Sequence, residues 1–381
     1  MAATVVDLTQ TDDLRDVVHL TVQALAEGQV VAFPTETVYG LAARALDEQA
    51  VSRLQDIKGR ANSNPLALAV GDSEEALDYI PQPVPLFRRL SRRCWPGPVT
   101  LVTENNDDAS LVHQLPPSVQ AAVAPGPTLG FRVPAESVAL DVLKFTVGPL
   151  VLTSANASGA ADAISGSQVV EQLGKDVDLI LDGGRTRFAQ PSTVVKVDMA
   201  QLTVLRQGVL DKTSLRQMAS FVVLVVCTGN TCRSPMGECL IKARLCEHLR
   251  LNRFSPESSG VIVQSGGLAA GPGSPASTQA VGVMSEYQLD LSAHTSQPVT
   301  NQQLSNADII LTMTQDHRQL ILAHRPELAS RVHTWCHNGD DVSDPIGGTS
   351  EKYRQCARQI DSEIAQWIEQ FELELFRFSL Q

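Results

Sequence analysis

Cys227 and Arg233 stand six positions apart in the sequence, and together these side chains can transfer a phosphoryl group. The apolar run 222–226 ends at the cysteine and predicts a strand, whereas Ser234 and Pro235 are typical of the start of a helix. A strand, a short loop and a helix start direct backbone N–H groups and the helix dipole at a phosphate. We therefore expect Cys227 to be a thiolate nucleophile and Arg233 to bind two phosphate oxygens. The alternative is a structural cysteine beside a surface arginine.

The composition is that of a globular protein large enough for two cores. The 381 residues are 43% hydrophobic and 19% charged, with a formal net charge of −12. A general surface for nucleic acids or anionic membranes is therefore not expected, although a local basic groove stays possible. No apolar run is long enough to cross a membrane, and the N-terminus lacks the pattern of a signal peptide. Seven cysteines without regular spacing indicate reduced thiols, so we expect a cytoplasmic protein that does not contact a membrane.

Apolar and turn-forming segments alternate along the chain, which predicts an α/β fold for both halves. The segments that resemble helices lie near 12–28, 47–58, 84–94, 167–174, 235–250, 275–288 and 350–375. Those that resemble strands lie near 30–33, 66–70, 99–103, 149–152, 192–197, 222–226, 261–264 and 308–313. A polar stretch precedes the strand that ends at the cysteine. We therefore predict a first domain over 1–212, a linker over 213–220 and a second domain over 221–381.

Five polar clusters punctuate the first half, and most of them follow an apolar strand. They are Phe-Pro-Thr-Glu-Thr-Val-Tyr-Gly (33–40), Lys-Gly-Arg with Asn-Pro-Leu (58–60 and 64–66), Trp-Pro-Gly-Pro-Val-Thr (95–100), Thr-Leu-Gly-Phe-Arg-Val-Pro (128–134) and Thr-Ser-Ala-Asn-Ala-Ser-Gly (153–159). Rigid loops that present hydroxyls, amides and cations suit a polyphosphate together with a small polar substrate. Neither a Walker loop nor an evident nucleophile–base pair occurs in this half. Catalysis is therefore expected to come from positioning and charge neutralisation.

In this order, the clusters resemble the YrdC family of L-threonylcarbamoyladenylate synthases over about residues 12–210. The likeness continues through Asp-Gly-Gly (182–184), Pro-Ser-Thr-Val-Val (191–195) and Leu-Arg-Gln-Gly (205–208). The resemblance implies a twisted α/β domain with a large basic groove. It also implies a reaction that joins L-threonine, bicarbonate and ATP, with Mg²⁺, to form threonylcarbamoyl-AMP and pyrophosphate for a tRNA adenosine modification.

The same resemblance implies the residues of the site. Thr37 is expected to contact threonine, and Arg132 is expected to pair with the threonine carboxylate. The residues expected to meet ATP phosphates or the reacting carboxyl groups are Lys58, Arg60 and Asn64. Those expected to line the nucleotide and threonine sites are Thr128, Ser154, Asn156, Ser192 and Arg206. Threonines and serines at strand ends are also common turn formers, which is the alternative for each of them.

Four arginines at positions 88, 89, 92 and 93 offer a second interpretation of the first half. They can form a patch for double-stranded RNA, tRNA or a tRNA-modification protein, or else a solvated helix face. Trp95, which follows them, is expected to pack in the core rather than stack on a base. An RNA-binding module or an inactive scaffold is therefore the alternative to a synthase.

From about Phe221 to the C-terminus, the chain resembles the low-molecular-weight protein tyrosine phosphatase family. The resemblance implies a small parallel-sheet α/β domain. It also implies that Ser234 hydrogen-bonds the Cys227 thiolate and that Asn230 holds the loop in shape, with Ser265. The implied phosphate-loop and specificity positions are Thr228, Gly229, Asn230, Thr231, Cys232 and Ser234.

A cysteine phosphatase needs an acid that protonates the leaving atom and then a base that activates water. In the resembling family this residue is an Asp followed by Pro in a late loop. Asp344 stands before Pro345 and fits the role, whereas Asp340 and Asp341 are interpreted as solvated carboxylates. The implied catalytic set is therefore Cys227, Arg233 and Asp344.

Two positions bear on the substrate of this half. Tyrosine-specific relatives typically have a branched apolar residue where this chain has Thr231, and aromatic residues where it has Ile346 and Gly347. The pairing of Thr-Cys-Arg with Asp-Pro-x-Gly-Gly resembles the protein-arginine-phosphatase branch, in which a hydroxyl and a carboxylate suit a guanidinium group. We predict a phosphoprotein substrate, with phosphoarginine favoured and phosphotyrosine as the alternative.

The remaining cysteines and histidines give weaker signals. In the resembling family a cysteine at the position of Cys232 can form a reversible disulfide with the nucleophile, and a buried apolar role is the alternative. Arsenate reductases of this fold need further cysteines in a later loop, and none lies between 247 and 335. His333, Cys336 and His337 lack a fourth metal ligand, so no metal site is predicted. The whole sequence therefore predicts a bifunctional enzyme.

Overall fold

A computed structural model describes residues 2–59, 65–199, 201–250, 260–372 and 379–380 of the chain. The chain divides into two compact units, one made of Met1–Met218 with Phe378–Gln381 and the other of Ala219–Arg377. Each unit combines helices with a sheet of its own, as the alternating pattern predicted. In the ranges given above, no helix has both the length and the apolar composition needed to span a membrane.

The first unit is built on one sheet. Its described strands are β1 (Thr4–Asp7), β2 (Val31–Phe33), β3 (Gly40–Arg44), β4 (Ala67–Ala69), β5 (Val99–Glu104), β6 (Thr128–Arg132), β7 (Leu150–Ser154), β8 (Leu179–Asp182), β9 (Thr193–Val197), β10 (Gln201–Arg206) and the last strand of the chain, β15 (Ser379–Leu380). Its described helices are α1 (Leu14–Ala26), α2 (Glu48–Ile57), α3 (Ser73–Asp78), α4 (Pro85–Cys94), α5 (Pro117–Val123), α6 (Ser137–Phe145), α7 (Gly166–Leu173) and α8 (Lys212–Ala219).

The sheet has mixed pairing. Its strands lie in the order β1-β8-β2-β3-β7-β4-β6-β5-β9-β10-β15. In the middle of the sheet, β6 runs parallel to β4 and antiparallel to β5, so that Arg132 pairs with Ala69 on one side and Thr100 on the other. Because side chains alternate between the two faces of a strand, Thr128, Gly130 and Arg132 share one face of β6. That face carries the candidate site of this unit.

Helix α1 shows how the sequence forms the layer that covers the sheet. Asp13 caps the helix, since its carboxylate accepts a hydrogen bond from the backbone N–H of Arg15. The buried residues recur at helical spacing and are Val17, Val18, Thr21, Ala24 and Leu25. The four apolar residues among them pack in a core with residues of β2 such as Val31 and Phe33 and with residues of α6.

The segment for which the sequence predicted a linker, 213–220, lies largely within α8. Asp211 Oδ1 accepts a hydrogen bond from the backbone N–H of Ser214, which is a helix-capping contact. Leu215 and Ala219 stand four positions apart and are both fully buried. The segment was interpreted as a linker because most of its residues are polar, but two apolar residues at helical spacing are enough to form a short amphipathic helix here.

The second unit contains a four-stranded parallel sheet in the order β12-β11-β13-β14. Its strands are β11 (Phe221–Cys227), β12 (Val261–Gly267), β13 (Ile309–Thr312) and β14 (Val332–Thr334). Its described helices are α9 (Arg233–His248), α10 (Thr278–Glu286), α11 (Asn301–Asn306), α12 (Gln315–His324) and α13 (Ser350–Glu372). All seven residues of the central strand β11 are buried, which explains its continuous apolar run. Its carboxyl end brings Cys227 to the edge where ligands of open α/β sheets bind.

Two candidate active sites

The first unit contains a cavity of about 960 Å³ over one face of its sheet. Alternate residues of β5 and β6 line it, since side chains of one parity share a face, and the end of β7 contributes residues 152–154. The described lining includes eight residues that the resemblance assigned to a site. Six come from four of the five polar clusters, namely Thr37, Lys58, Thr128, Arg132, Ser154 and Asn156, and two, Ser192 and Arg206, come from the later motifs at 191–195 and 205–208. Arg60 and Asn64 lie outside the described residues. The structure thus brings the eight described candidates together around one cavity.

Lys58 lies at the C-terminal end of α2 and is 5% exposed. Its Nζ donates hydrogen bonds to the backbone oxygens of Ser154 and Asn156, at 2.9 and 2.8 Å, and to Asn156 Oδ1 at 2.7 Å. Burial lowers the pKa of this ammonium group, and the nearby carboxylate of Asp162 opposes the effect. With three acceptors around three N–H groups, Lys58 fixes the loop after β7 in addition to placing a positive charge on the cavity wall.

Arg132 and Glu36 form a buried ion pair, with side chains 5% and 4% exposed. The second carboxylate oxygen of Glu36 accepts a hydrogen bond from the backbone N–H of Ala135 at 2.7 Å. The Nη2 of Arg132 also lies 3.5 Å from Thr37 Oγ1. Burial lowers the pKa of the guanidinium, and the charge of Glu36 opposes the effect. Glu36 was not predicted as a site residue, although it is the one acidic residue of the otherwise neutral cluster 33–40.

Arg206 also lines the cavity, where Ser192 anchors it. Its Nη2 donates to the backbone oxygen and to Oγ of Ser192, both at 2.9 Å, and Ser192 Oγ lies 3.0 Å from Thr100 Oγ1. Burial lowers the pKa of Arg206. Arg132 and Arg206 therefore hold fixed positive charges around the cavity, as anionic ligands require.

The donor set of the cavity is compatible with a nucleotide-bound Mg²⁺. Asp56 is the carboxylate among the described lining residues, which also include several threonines and serines. Mg²⁺ in such sites is usually held by substrate phosphates, several waters and one or two carboxylates. Among the described residues, no cluster of three or more His, Cys, Asp or Glu could hold a metal without a substrate.

The four arginines of α4 do not share one open face. Arg88 is exposed, Arg89 is 4% exposed, and Arg93 Nη1 donates to the backbone oxygen of Met218 at 2.7 Å. Packing of α4 against the sheet accounts for the difference from the expected open patch. Trp95 packs in the core, with its Nε1 donating to the backbone oxygen of Val99 at 2.8 Å and its ring edge-on to Phe87.

In the second unit, Cys227 lies at the end of β11 and is 3% exposed. Its Sγ is 2.9 Å from Ser234 Oγ and accepts a hydrogen bond from the backbone N–H of Asn230 at 3.2 Å. Helix α9 begins at Arg233, so the loop 228–232 lies between the strand end and a helix N-terminus. Hydrogen-bond donors and the positive end of a helix dipole stabilise negative charge on the sulfur.

Asn230 holds the loop from inside. It has a φ of 54°, a conformation that asparagine tolerates better than most residues. Its Nδ2 donates to Ser234 Oγ at 3.0 Å and to Ser265 Oγ at 2.9 Å, and its Oδ1 accepts from the backbone N–H of Gln297 at 2.9 Å. His294 Nε2 lies 2.8 Å from the Asn230 backbone oxygen. The contact with Ser265 was predicted. Those with His294 and Gln297 were not, because these residues lie more than sixty positions from Asn230 in the sequence.

Arg233 and Asp344 meet in an ion pair, with 2.6 Å between Nη2 and Oδ2. The arginine side chain is 7% exposed, whereas that of Asp344 is 45% exposed. Asp341 Oδ1 instead accepts from the backbone N–H of Gln315 at 2.7 Å, so it caps α12 although it is exposed. The structure therefore places the predicted anion-binding and acid side chains side by side, in a partly open position.

His317 contacts the phosphate loop and was not predicted. Its Nε2 lies 2.8 Å from Thr228 Oγ1, and its Nδ1 lies 2.8 Å from Thr314 Oγ1. Burial and the charge of Arg233 lower the pKa of His317. The residue stands 89 positions from Thr228, in a polar helix segment without a motif that marks it.

Cys232 lies on the same loop, and all seven cysteines of the chain have free thiols. Its Sγ is 3.2 Å from the hydroxyl of Tyr353 and 3.5 Å from Ser277 Oγ. Burial and the contact with Cys232 raise the pKa of Tyr353.

The rim of the site includes Ile346, which is 71% exposed.

Two family models match this chain. The model for a family described as "Telomere recombination" (Sua5, YciO and YrdC) matches residues 23–208. The model for the low molecular weight phosphotyrosine protein phosphatases matches residues 222–375. The two matches coincide with the two parts of the chain that contain the candidate sites.

Curated relatives match the first part. A threonylcarbamoyl-AMP synthase of Pyrococcus abyssi is 37% identical over 186 residues, which are 48% of this chain and 52% of the relative. A putative threonylcarbamoyl-AMP synthase of Mycobacterium tuberculosis is 34% identical over 49% of this chain and 82% of the relative. The chain thus spans about half the length of the first of these relatives.

Solved structures match both parts. A variant of P. abyssi Sua5 is 23% identical, with a TM-score of 0.51 over 87% of this chain and 98% of the other, so it shares the fold. The YwlE arginine phosphatase of Geobacillus stearothermophilus is 32% identical over 40% of this chain and 94% of the other, with a TM-score of 0.35.

Proposed function

We propose that this chain, which belongs to the Sua5/YciO/YrdC family through its first unit and to the low molecular weight phosphotyrosine protein phosphatases through its second, is a bifunctional enzyme. The first unit converts L-threonine, bicarbonate and ATP to threonylcarbamoyl-AMP, pyrophosphate and water. The second unit hydrolyses a phosphorylated protein side chain through a cysteinyl-phosphate. The single observation that carries the first assignment is the convergence of Lys58, Arg132, Ser154 and Arg206 on one cavity.

In the synthase, Arg132 binds the carboxylate of threonine while Glu36 fixes the guanidinium. Thr37, beside Arg132, contacts the same substrate. Lys58 and the loop from Ser154 to Asn156 form the opposite wall, where positive charge and hydroxyls suit ATP phosphates. Mg²⁺, when bound with ATP, neutralises phosphate charge, and Asp56 is the described carboxylate that can help hold it. These residues act by orientation and electrostatic stabilisation, because no nucleophile–base pair is evident in this half of the sequence.

In the phosphatase, the Cys227 thiolate attacks phosphorus and the bond from phosphorus to the leaving atom breaks. Asp344 donates its proton to that atom, while Arg233 binds the phosphoryl oxygens. The Asp344 carboxylate then takes a proton from water, the resulting hydroxide attacks the phosphocysteine, and phosphate and thiolate are released. The support for this sequence is the contact of Sγ with Ser234 and Asn230, together with the Arg233–Asp344 pair.

The first unit further supplies its product to a tRNA adenosine modification. In the second unit, phosphoarginine is the favoured substrate, because the Thr231 hydroxyl and the Asp344 carboxylate can both accept hydrogen bonds from a guanidinium group. The aliphatic rim residue Ile346 and two glycines replace the aromatic wall that a phenol ring would need. Phosphotyrosine is the second candidate, since the matching family is described by that substrate.

Product analysis with labelled bicarbonate tests the bifunctional assignment. Lys58→Ala is expected to abolish formation of threonylcarbamoyl-AMP and leave phosphatase activity unchanged, whereas Cys227→Ser should do the reverse. Each variant is the control for the other. Pyrophosphate release by the wild type that does not need both threonine and bicarbonate would overturn the synthase assignment, and RNA binding without such release would favour an RNA-binding module.

Paired phosphopeptides of one sequence, with phosphoarginine or phosphotyrosine at the same position, test the substrate. We expect a higher kcat/KM for phosphoarginine in the wild type. Thr231→Ile, which replaces the hydroxyl by a branched apolar chain, is expected to shift the ratio toward phosphotyrosine. A wild-type preference for phosphotyrosine would reject the phosphoarginine assignment and leave the phosphatase assignment in place.

A further inference from the structure

The loop that carries Asp344 is irregular from Trp335 to Thr349, between β14 and α13. Asp344 itself is 45% exposed, and its described contacts are the ion pair with Arg233 and a hydrogen bond from the backbone N–H of Ile346 at 3.1 Å. A loop without regular backbone pairing depends on side-chain contacts for its position. The contacts that hold it therefore decide where the carboxylate lies.

Gln359 of α13 forms hydrogen bonds with the backbone of this loop on both sides of Val342. Its Oε1 accepts a hydrogen bond from the backbone N–H of Ser343 at 3.1 Å, and its Nε2 donates to the backbone oxygen of Asp341 at 3.0 Å. The amide thus pairs with the loop as a neighbouring strand would. Because both contacts need one acceptor and one donor, a primary amide of this length is the side chain that satisfies them.

The other side of the loop is held by hydrogen bonds to the end of β13 and to the start of α12. The backbone N–H of Val342 donates to the Met313 oxygen at 2.8 Å, and the Val342 side chain is 1% exposed. Gln315 Nε2 donates to the Gly339 oxygen at 3.1 Å. The hydrogen bond from Gln359 to Ser343 therefore holds the residue directly before Asp344, one position after Val342.

Substrate binding changes which contacts remain. When a phosphoryl group takes up the Arg233 guanidinium, the ion pair that holds Asp344 in the ligand-free protein is weakened. Arg233 Nη1 also donates a hydrogen bond to the Val342 oxygen at 3.4 Å, so both contacts of Arg233 with this loop are weakened. The direction of the carboxylate then depends on the other contacts that hold the backbone at 341–343. The amide of Gln359 is still available at that stage, since its described hydrogen-bond partners, the Ser343 N–H, the Asp341 oxygen and Cys336 Sγ, all lie outside the phosphate loop.

We propose that Gln359 is a positioning residue for the acid step, which keeps Asp344 within reach of the leaving atom after Arg233 has engaged the phosphate. This inference rests on the proposed phosphatase function. It concerns the transfer of a proton from Asp344 to the leaving atom, and Gln359 itself takes no part in bond making or breaking.

Leaving-group dependence tests this role, because a good leaving group departs without a proton and a poor one does not. In the full chain, kcat/KM is compared between 4-nitrophenyl phosphate and phenyl phosphate, whose phenol has a pKa of about 10 like tyrosine. Since acid catalysis contributes about 10²- to 10⁴-fold, Gln359→Met is expected to lower kcat/KM about tenfold or more for phenyl phosphate and less than about twofold for 4-nitrophenyl phosphate. Gln366→Met, at an exposed position of the same helix, is the matched control and should change neither value.

Gln359→Glu supplies a second variant of similar volume. It keeps the acceptor for Ser343 and loses the donor to Asp341, so the same selective loss is expected at a smaller size. An equal loss for both substrates in both variants, or no loss in either, overturns the inference, because a purely structural change does not distinguish leaving groups.

Asp344→Asn separates this inference from the proposed function. A selective loss in Asp344→Asn without one in Gln359→Met and Gln359→Glu rejects the role of Gln359 alone. A loss in Asp344→Asn that is equal for both substrates rejects the assignment of the acid and the inference with it. Wild-type hydrolysis of neither aryl phosphate and of neither phosphopeptide rejects the phosphatase function and, with it, the role of Gln359.

Discussion

Glu36 and Arg132 stand 96 positions apart in the sequence and form an ion pair whose side chains are 4% and 5% exposed. The carboxylate is also bound by the backbone N–H of Ala135, so it links two polar clusters at one wall of the cavity. Breaking one partner of a buried pair leaves an uncompensated charge in the core. The pair therefore couples the stability of the first unit to the shape of its cavity.

Glu36→Leu is expected to destabilise the first unit by about 3–5 kcal/mol, because Arg132 is left charged and buried. Amide hydrogen exchange of peptides from β6, measured by mass spectrometry, reports the change locally. Asp13→Asn is the control, since the Asp13–Arg15 pair is exposed and Asn still caps α1. We expect that control to leave the exchange of β6 unchanged, because exposed ion pairs contribute little to stability. Equal protection of β6 in wild type and Glu36→Leu would contradict the prediction.

Ser234→Ala removes a hydroxyl 2.9 Å from the Cys227 sulfur. Hydrogen bonds to charged groups contribute about 1.5–3 kcal/mol, so we expect kcat of the phosphatase to fall about tenfold to a hundredfold. Alkylation of Cys227 by iodoacetamide at pH 6, followed by mass spectrometry, should slow in parallel, since the thiolate is the reacting form.

The control for this change is Ser285→Ala in α10, where the hydroxyl bonds the backbone of its own helix. Its alkylation rate and kcat should equal those of the wild type. A slower phosphatase with an unchanged alkylation rate would mean that Ser234 acts on the loop and not on the sulfur.

The elements that carry strong local signals could be predicted from the sequence. The run 222–226 marks β11 because a central parallel strand is apolar on both faces. The helix after Cys227 was expected over 235–250 and spans Arg233–His248. Both ends differ by two residues, which is the usual uncertainty of a helix boundary. Eight of the positions predicted for the site of the first half line one cavity, because Gly, Pro, Ser and Thr at strand ends mark loops in the sequence itself.

Long-range pairings could not be predicted in the same way. Strand β3 reads Gly-Leu-Ala-Ala-Arg and lacks β-branched residues, so it is a strand because β2 and β7 pair with it. The Glu36–Arg132 pair depends on the order of strands across the sheet. His317 reaches Thr228 from a helix whose polar sequence, Gln-Asp-His-Arg-Gln, gave no helical pattern. In each case the missing information is tertiary and not local.

His317 is expected to make the second unit less stable in mild acid. Burial and the charge of Arg233 lower its pKa, while Asp341, Asp316 and Asp344 oppose the effect. With a folded-state pKa below the unfolded value of about 6.5, the unfolded chain binds more protons between the two values. The stabilisation is therefore complete above about pH 6.5 and is lost as the pH falls below it.

His317→Gln should flatten this dependence between about pH 7 and pH 5, because glutamine does not titrate. Urea unfolding in a Trp95→Phe background reports the second unit, since Trp335 and Trp367 both lie in it. His324→Gln, at the end of the same helix, is the control. A slope with pH that is the same in wild type and His317→Gln would assign the acid sensitivity to other groups.

Gly267 lies at the end of β12, where it faces the backbone of the phosphate loop. A Cβ at this position would lie 2.5 Å from the Thr228 oxygen and 3.0 Å from the Asn230 nitrogen, and backbone atoms cannot move aside as side chains do. Gly267→Ala is therefore expected to displace the loop and lower phosphatase kcat/KM about a hundredfold, because a misplacement of about 1 Å costs that much.

Gly282→Ala is the matched control: a Cβ there meets no atom within 4 Å, and alanine should stabilise α10 by about 1 kcal/mol. Synthase activity should be unchanged in both variants, and wild-type phosphatase activity in Gly267→Ala would show that the loop tolerates the shift.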